Sequence, residues 1–189
     1  MKAAAQHQDV GVAQALIKGA CPICALLKEF QNGLIETLTP DAGEHLCNYH
    51  AWAVAHGTPG KIAVDILDKA LDRAGLNIDQ GGACDICSRI QQEEEFRTRE
   101  MAQELARRTN LADWMLHHGG ICLNHATKLK MYLPVRLQSL VDQILRRHIA
   151  ELKQELDIYR QQLEMGTKTG WGSLGKVAEL MVSQRGITR

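Results

Sequence analysis

Gly19-Ala20-Cys21-Pro22-Ile23-Cys24 and Gly82-Ala83-Cys84-Asp85-Ile86-Cys87 agree at five of six positions. A second pair follows them. Leu46-Cys47-Asn48-Tyr49-His50-Ala51 matches Ile121-Cys122-Leu123-Asn124-His125-Ala126 in its Cys, His, Ala and leading aliphatic residue. The register then continues, because Pro59 lies nine residues after His50 and Pro134 nine after His125, with Ile62 and Ile66 answered by Leu137 and Val141. All six cysteines fall inside these blocks. The chain therefore reads as an internal duplication, with an N-terminal segment at 1–17, repeat one at 18–76, an enlarged repeat two at 82–165 and a tail at 166–189, the repeats packed as one domain.

Apolar spacing and turn residues predict helices over about 22–37, 47–56, 60–74, 85–108, 110–117, 122–132, 135–164 and 173–184. Thr39-Pro40-Asp41-Ala42-Gly43, Gly57-Thr58-Pro59-Gly60, Gly75, Gly81-Gly82 and Gly119-Gly120 separate them. The expected fold class is all-α: a duplicated helical repeat, each copy organised around a metal site, with one long and one short C-terminal helix. In the long helix Leu145, Ile149, Leu152, Leu156, Tyr159 and Leu163 form a heptad-like stripe. A stripe this short belongs to packing within its own domain, with a homodimer seam as the alternative.

Spacing supplies the chemistry. Residues i and i+3 share a helix face, so Cys21/Cys24, Cys84/Cys87, Cys47/His50 and Cys122/His125 can each aim two ligand atoms at one point. Each pair sits at an expected helix start, where free amides and the positive end of the helix dipole favour thiolate over thiol. Three thiolates and one imidazole make a closed tetrahedral zinc site; a [4Fe-4S] cluster is the alternative that also accepts such ligands. Pairing within each repeat, Cys21/Cys24 with Cys47/His50 and Cys84/Cys87 with Cys122/His125, closes the shorter loops and is favoured over the alternative, cross-pairing of Cys21/Cys24 with Cys122/His125. His45, His56, His117 and His118 lack ligand spacing and are assigned to supporting or solvent roles. His7 and His148 carry no site either.

The glutamates of the insertion, Gln91 to Glu100, lack the Glu-x-x-His partners of a carboxylate-bridged iron site. Glu93 to Arg97 and Glu95 to Arg99 instead have the spacing of ion pairs on an exposed helix, and Glu94 is taken as exposed with them. Cys21-Pro22-Ile23-Cys24 is similar to the glutaredoxin tetrapeptide, but no strand precedes it and the second copy has Asp85 in place of the proline, which argues against dithiol catalysis.

The paired Cys-Pro-Ile-Cys and Leu-Cys-Asn-Tyr-His-Ala-Trp blocks, their second copy, and Trp171…Val177-Ala178-Glu179-Leu180-Met181-Val182…Gly186 resemble a prokaryotic family of unknown function. The resemblance covers about residues 15–186. It implies a helical protein binding metal at the eight residues already named, and no reaction.

Lysine plus arginine and aspartate plus glutamate number 22 each, so no global field draws in nucleic acid, although Lys128, Lys130, Arg136, Arg146 and Arg147 cluster after the second site. No signal-like segment opens the chain, and no stretch reaches the ~18 apolar residues of a membrane span. A soluble, cytoplasmic protein is expected, and in a reducing compartment six cysteines point to metal rather than disulfides. No dinucleotide fingerprint or phosphate loop is present, which points away from an enzyme. Two roles follow: a structural zinc protein whose surface binds a protein partner, or an iron–sulfur electron carrier or redox sensor.

Overall fold

The computed structural model describes residues 20–40, 45–76, 84–117, 120–167 and 172–182. Within them run α1 (Pro22–Glu36), α2 (Asn48–Gly57), α3 (Gly60–Leu76), α4 (Asp85–Arg107), α5 (Thr109–His117), α6 (Leu123–Tyr132), α7 (Val135–Glu164) and α8 (Gly172–Val182). Every regular element among the described residues is a helix, and the expected boundaries hold to within one or two residues. The 1–17 segment, Trp171 and Gly186 lie outside the described residues.

The helix ends follow from local chemistry. α2 and α6, the two helices that begin at Cys-x-x-His, are each 10 residues long, and each stops at a residue that precedes proline. Those residues, Thr58 and Leu133, are extended at φ −107°, ψ 145° and φ −84°, ψ 142°, because the following proline ring disfavours helical backbone before it. Pro59 and Pro134 then open the next helices: their carbonyls accept from Ala63 N–H at 3.0 Å and Leu137 N–H at 2.8 Å. The proline nine residues after each histidine thus sets the length of both ligand helices.

The chain forms two compact units. One comprises the described residues up to Leu26 and from Phe96 on; the other runs from Leu27 to Glu95. In the first unit α7 packs against α5, α6 and α8. Val141, Ile144, Leu152 and Tyr159 of α7 are buried there with Met115, Ala126, Leu129 and Leu180. Each large aliphatic side chain so buried contributes about 1.5–3 kcal/mol. Of the heptad-like stripe itself, Leu152 and Tyr159 are buried, Leu145, Ile149 and Leu156 are half-buried, and Leu163 is exposed. In the second unit α2 packs on α3, and the end of α2 closes on α1. A Cβ on Gly57 would stand 3.0 Å from Ile35 Cγ2, and the buried Thr58 hydroxyl donates to the Ile35 carbonyl at 3.3 Å.

Three expectations need amendment. The Gln91–Glu100 stretch is not a uniformly solvated face: Glu94 and Thr98, four residues apart on α4, are buried, while Arg97 pairs with Glu100 at 2.8 Å. Arg99 lies over the Tyr132 ring at 5.1 Å. The basic cluster is also partly neutralised, since Lys130 binds Asp142 at 2.8 Å and Arg147 lies 3.5 Å from Glu151. The third amendment concerns the metal ligands.

Candidate metal centres

All four ligand pairs occupy the same place on their helices. Cys21, Cys47, Cys84 and Cys122 stand immediately before α1, α2, α4 and α6, and their carbonyls accept the first helical bonds from Ala25, Ala51, Ser88 and Ala126 at 2.8–3.1 Å. Each is a cap residue, with its ligand partner Cys24, His50, Cys87 or His125 three positions on. An N-cap side chain and the side chain at N3 project toward the same open helix end, the geometry that a capping box uses. Cys122 shows this directly, because its Sγ accepts from the His125 backbone N–H at 3.5 Å. The thiol takes over the usual cap hydroxyl's part.

The pairs assemble across the duplication. One group is Cys21, Cys24, Cys122 and His125; the other is Cys47, His50, Cys84 and Cys87, and the ligand atoms of each lie within 4.8 Å of one another. The expected within-repeat pairing, with each repeat organised around its own site, is corrected: each centre takes its Cys-x-x-Cys from one repeat and its Cys-x-x-His from the other. The first centre lies wholly in one unit and the second wholly in the other. Loop entropy was too weak a guide. Cys24 to Cys47 is about a quarter of the Cys24 to Cys122 separation, and two doublings of loop length are worth only about 1 kcal/mol.

Two hydrogen bonds, worth about 0.5–1.5 kcal/mol net apiece, are enough to offset a difference of that size. His45 N–H donates to Asp85 Oδ2 at 3.3 Å and Asp85 N–H donates to the His45 carbonyl at 3.1 Å, so the strand of chain before Cys47 is tied to the start of α4. Asp85 stands where the first copy has Pro22, which has no N–H to give. The difference is visible in the sequence, but its use, and the specific partner of His45, arise only in the fold.

Both centres converge on the Nδ1 atom of histidine. In the first, Nδ1 of His125 lies 3.4, 3.3 and 3.1 Å from the sulfurs of Cys21, Cys24 and Cys122, and the Cys24 and Cys122 sulfurs are 3.8 Å apart. In the second, Nδ1 of His50 lies 3.3 Å from each of Cys47, Cys84 and Cys87, with the Cys47 and Cys87 sulfurs 3.7 Å apart. A tetrahedral ion with bonds of about 2.3 Å to sulfur and about 2.0 Å to nitrogen spaces its ligands about 3.8 Å (S to S) and 3.5 Å (S to N) apart. The residues present fit such an ion.

Electrostatics point the same way. Burial holds the Cys21 thiol well above its ordinary value, with Cys122 and Cys24 adding to the effect. Cys87 is pushed up to about 12 by burial, then by Cys84 and Cys47. Cys122 moves down, because the Cys21 and Cys24 thiols hydrogen-bond its thiolate more strongly than burial opposes it. Three thiolates share one point only around a cation, and taking one up displaces the thiol protons.

Eight of the eight expected ligand residues are thus brought together, in two groups of four. His56 stacks on Trp52 instead, at 5.7 Å between ring centroids. No helix among the described residues is long and apolar enough to cross a membrane. Comparison of the chain with protein-family models, with curated proteins and with solved structures finds no match, so the resemblance drawn from its motifs identifies no family and the two Cys/His clusters stand on their geometry.

Proposed function

We propose that the protein holds two structural zinc ions, one in each unit, and that these fix short helices into a surface for a protein partner. The observation that carries this reading is the ligand spacing: sulfur and nitrogen atoms 3.1–3.8 Å apart suit one ion held at all four corners. A cuboidal iron–sulfur cluster hangs each ligand on a different iron and spreads the ligand atoms wider than a single ion does. Four protein ligands also leave no position for a reactive water, which favours a structural over a hydrolytic role. A ten-residue helix is marginal in water by itself, so α2 and α6 gain most from being pinned at their first turn. The partner surface has support in the Leu27–Glu95 unit, where Trp52 of α2 is 63% exposed and Val64 and Leu71 of α3 are exposed as well.

Elemental analysis with an absorption spectrum tests the metal assignment. Anaerobically purified protein is expected to be colourless and to carry about two zinc ions per chain. A visible band that bleaches on reduction with dithionite and returns on oxidation would replace zinc with iron–sulfur clusters and make electron transfer the function.

A further inference from the structure

The first centre is closed at its ligands but not at its back. His125, Cys24 and Cys122 are at most 2% exposed, and Cys21 is the most open of the four at 8%. A cavity of about 140 Å³ nevertheless borders this centre: Cys21, Cys24 and Cys122 are among the residues that line it. Its side walls are the charged faces of α7 and α8. Glu151, Glu155 and Glu179 there outnumber Arg147 and Lys176. Both cations are engaged, Arg147 with the His117 carbonyl and Lys176 with Glu155 Oε1 and Oε2 at 2.9 and 2.8 Å. A space lined by an excess of carboxylates and by three cysteines suits a small cation, and the cysteines narrow the class to thiophilic divalent ions. His148 and Glu151 give it a nitrogen and an oxygen 4.0 Å apart along the way, and burial keeps the His148 imidazole toward its neutral, ligating form.

We propose that this cavity is the path by which a thiophilic divalent cation reaches and leaves the first centre, and that the Lys176–Glu155 ion pair between α8 and α7 is its closure. The inference rests on the metal-binding reading given above. The second centre needs no such path, because two of its ligands, Cys47 and Cys87, are only half-buried. The two centres therefore exchange metal at different rates: the second quickly, from the surface, and the first slowly, through the cavity.

Release of zinc from the loaded protein to a chromogenic chelator tests this. Two phases of equal amplitude are expected. Lys176→Ala and Glu155→Gln each open the ion pair from one side, and both side chains are well exposed, at 57% and 39%, so neither change should disturb folding. Each should accelerate the slow phase about two- to fivefold, the range an exposed ion pair allows, and leave the fast phase unchanged. Two phases whose slow rate neither variant moves would overturn the path while leaving the metal centres intact. Acceleration of both phases alike would overturn it too, since release would then follow general loosening. A protein that takes up no zinc at all would remove the centres and the path together.

Discussion

Cys24→Ser should destabilise the unit that holds the first centre by more than about 4 kcal/mol, the range reached when a metal site or a buried network is lost. Cys24 is 1% exposed and its sulfur stands 3.3 Å from His125 Nδ1 and 3.8 Å from Cys122 Sγ. A hydroxyl is a poor replacement for a thiolate at a soft ion, so on the proposed zinc reading the variant loses the ion and leaves the remaining buried thiols without a cation. The helices α1 and α6 then lose the anchor at their first turns. Gln103→Ala, an exposed change on α4 in the same unit, should stay within about 0.5 kcal/mol of the parent. Thermal or denaturant unfolding of the two variants makes the comparison, and equal midpoints would deny the metal a structural role.

Pairs of substitutions should separate the crossed arrangement from the within-repeat one without any structural measurement. Cys24 and Cys122 belong to one centre, so Cys24→Ser with Cys122→Ser should leave about one bound ion per chain. Cys24 and Cys47 belong to different centres, so Cys24→Ser with Cys47→Ser should leave none. Pairing within each repeat gives the opposite result for both double variants. The metal content of the two proteins decides between the arrangements.

The helices and the eight candidate ligand residues were legible because each is written locally. Glycine, proline and apolar periodicity mark the helix ends, and three-residue spacing at a helix start makes a ligand pair whatever the rest of the chain does. Pairing was not legible, because duplicated motifs are interchangeable in sequence and loop length separates the choices by only about 1 kcal/mol. One difference between the two Cys-x-x-Cys blocks bears on the pairing, Asp85 against Pro22, and the Asp85 carboxylate and N–H meet His45 only once the chain has folded. Burial of Glu94 was hidden for a related reason. A run of three glutamates on a helix reads as solvated until one of its faces is seen to be covered. The cavity beside the first centre is of the same kind, since residues of α7 and α8 line it together with Cys122 and with Cys21 and Cys24, more than a hundred positions earlier than α7.

X-ray absorption at the zinc edge of the purified protein tests most directly whether each group of four closes on one ion. The predicted average shell is three sulfurs at about 2.3 Å and one nitrogen at about 2.0 Å per zinc, with no metal neighbour. Protein that is folded yet metal-free, with six freely titrating thiols, would contradict the account, as would iron in place of zinc with a second iron scattering nearby.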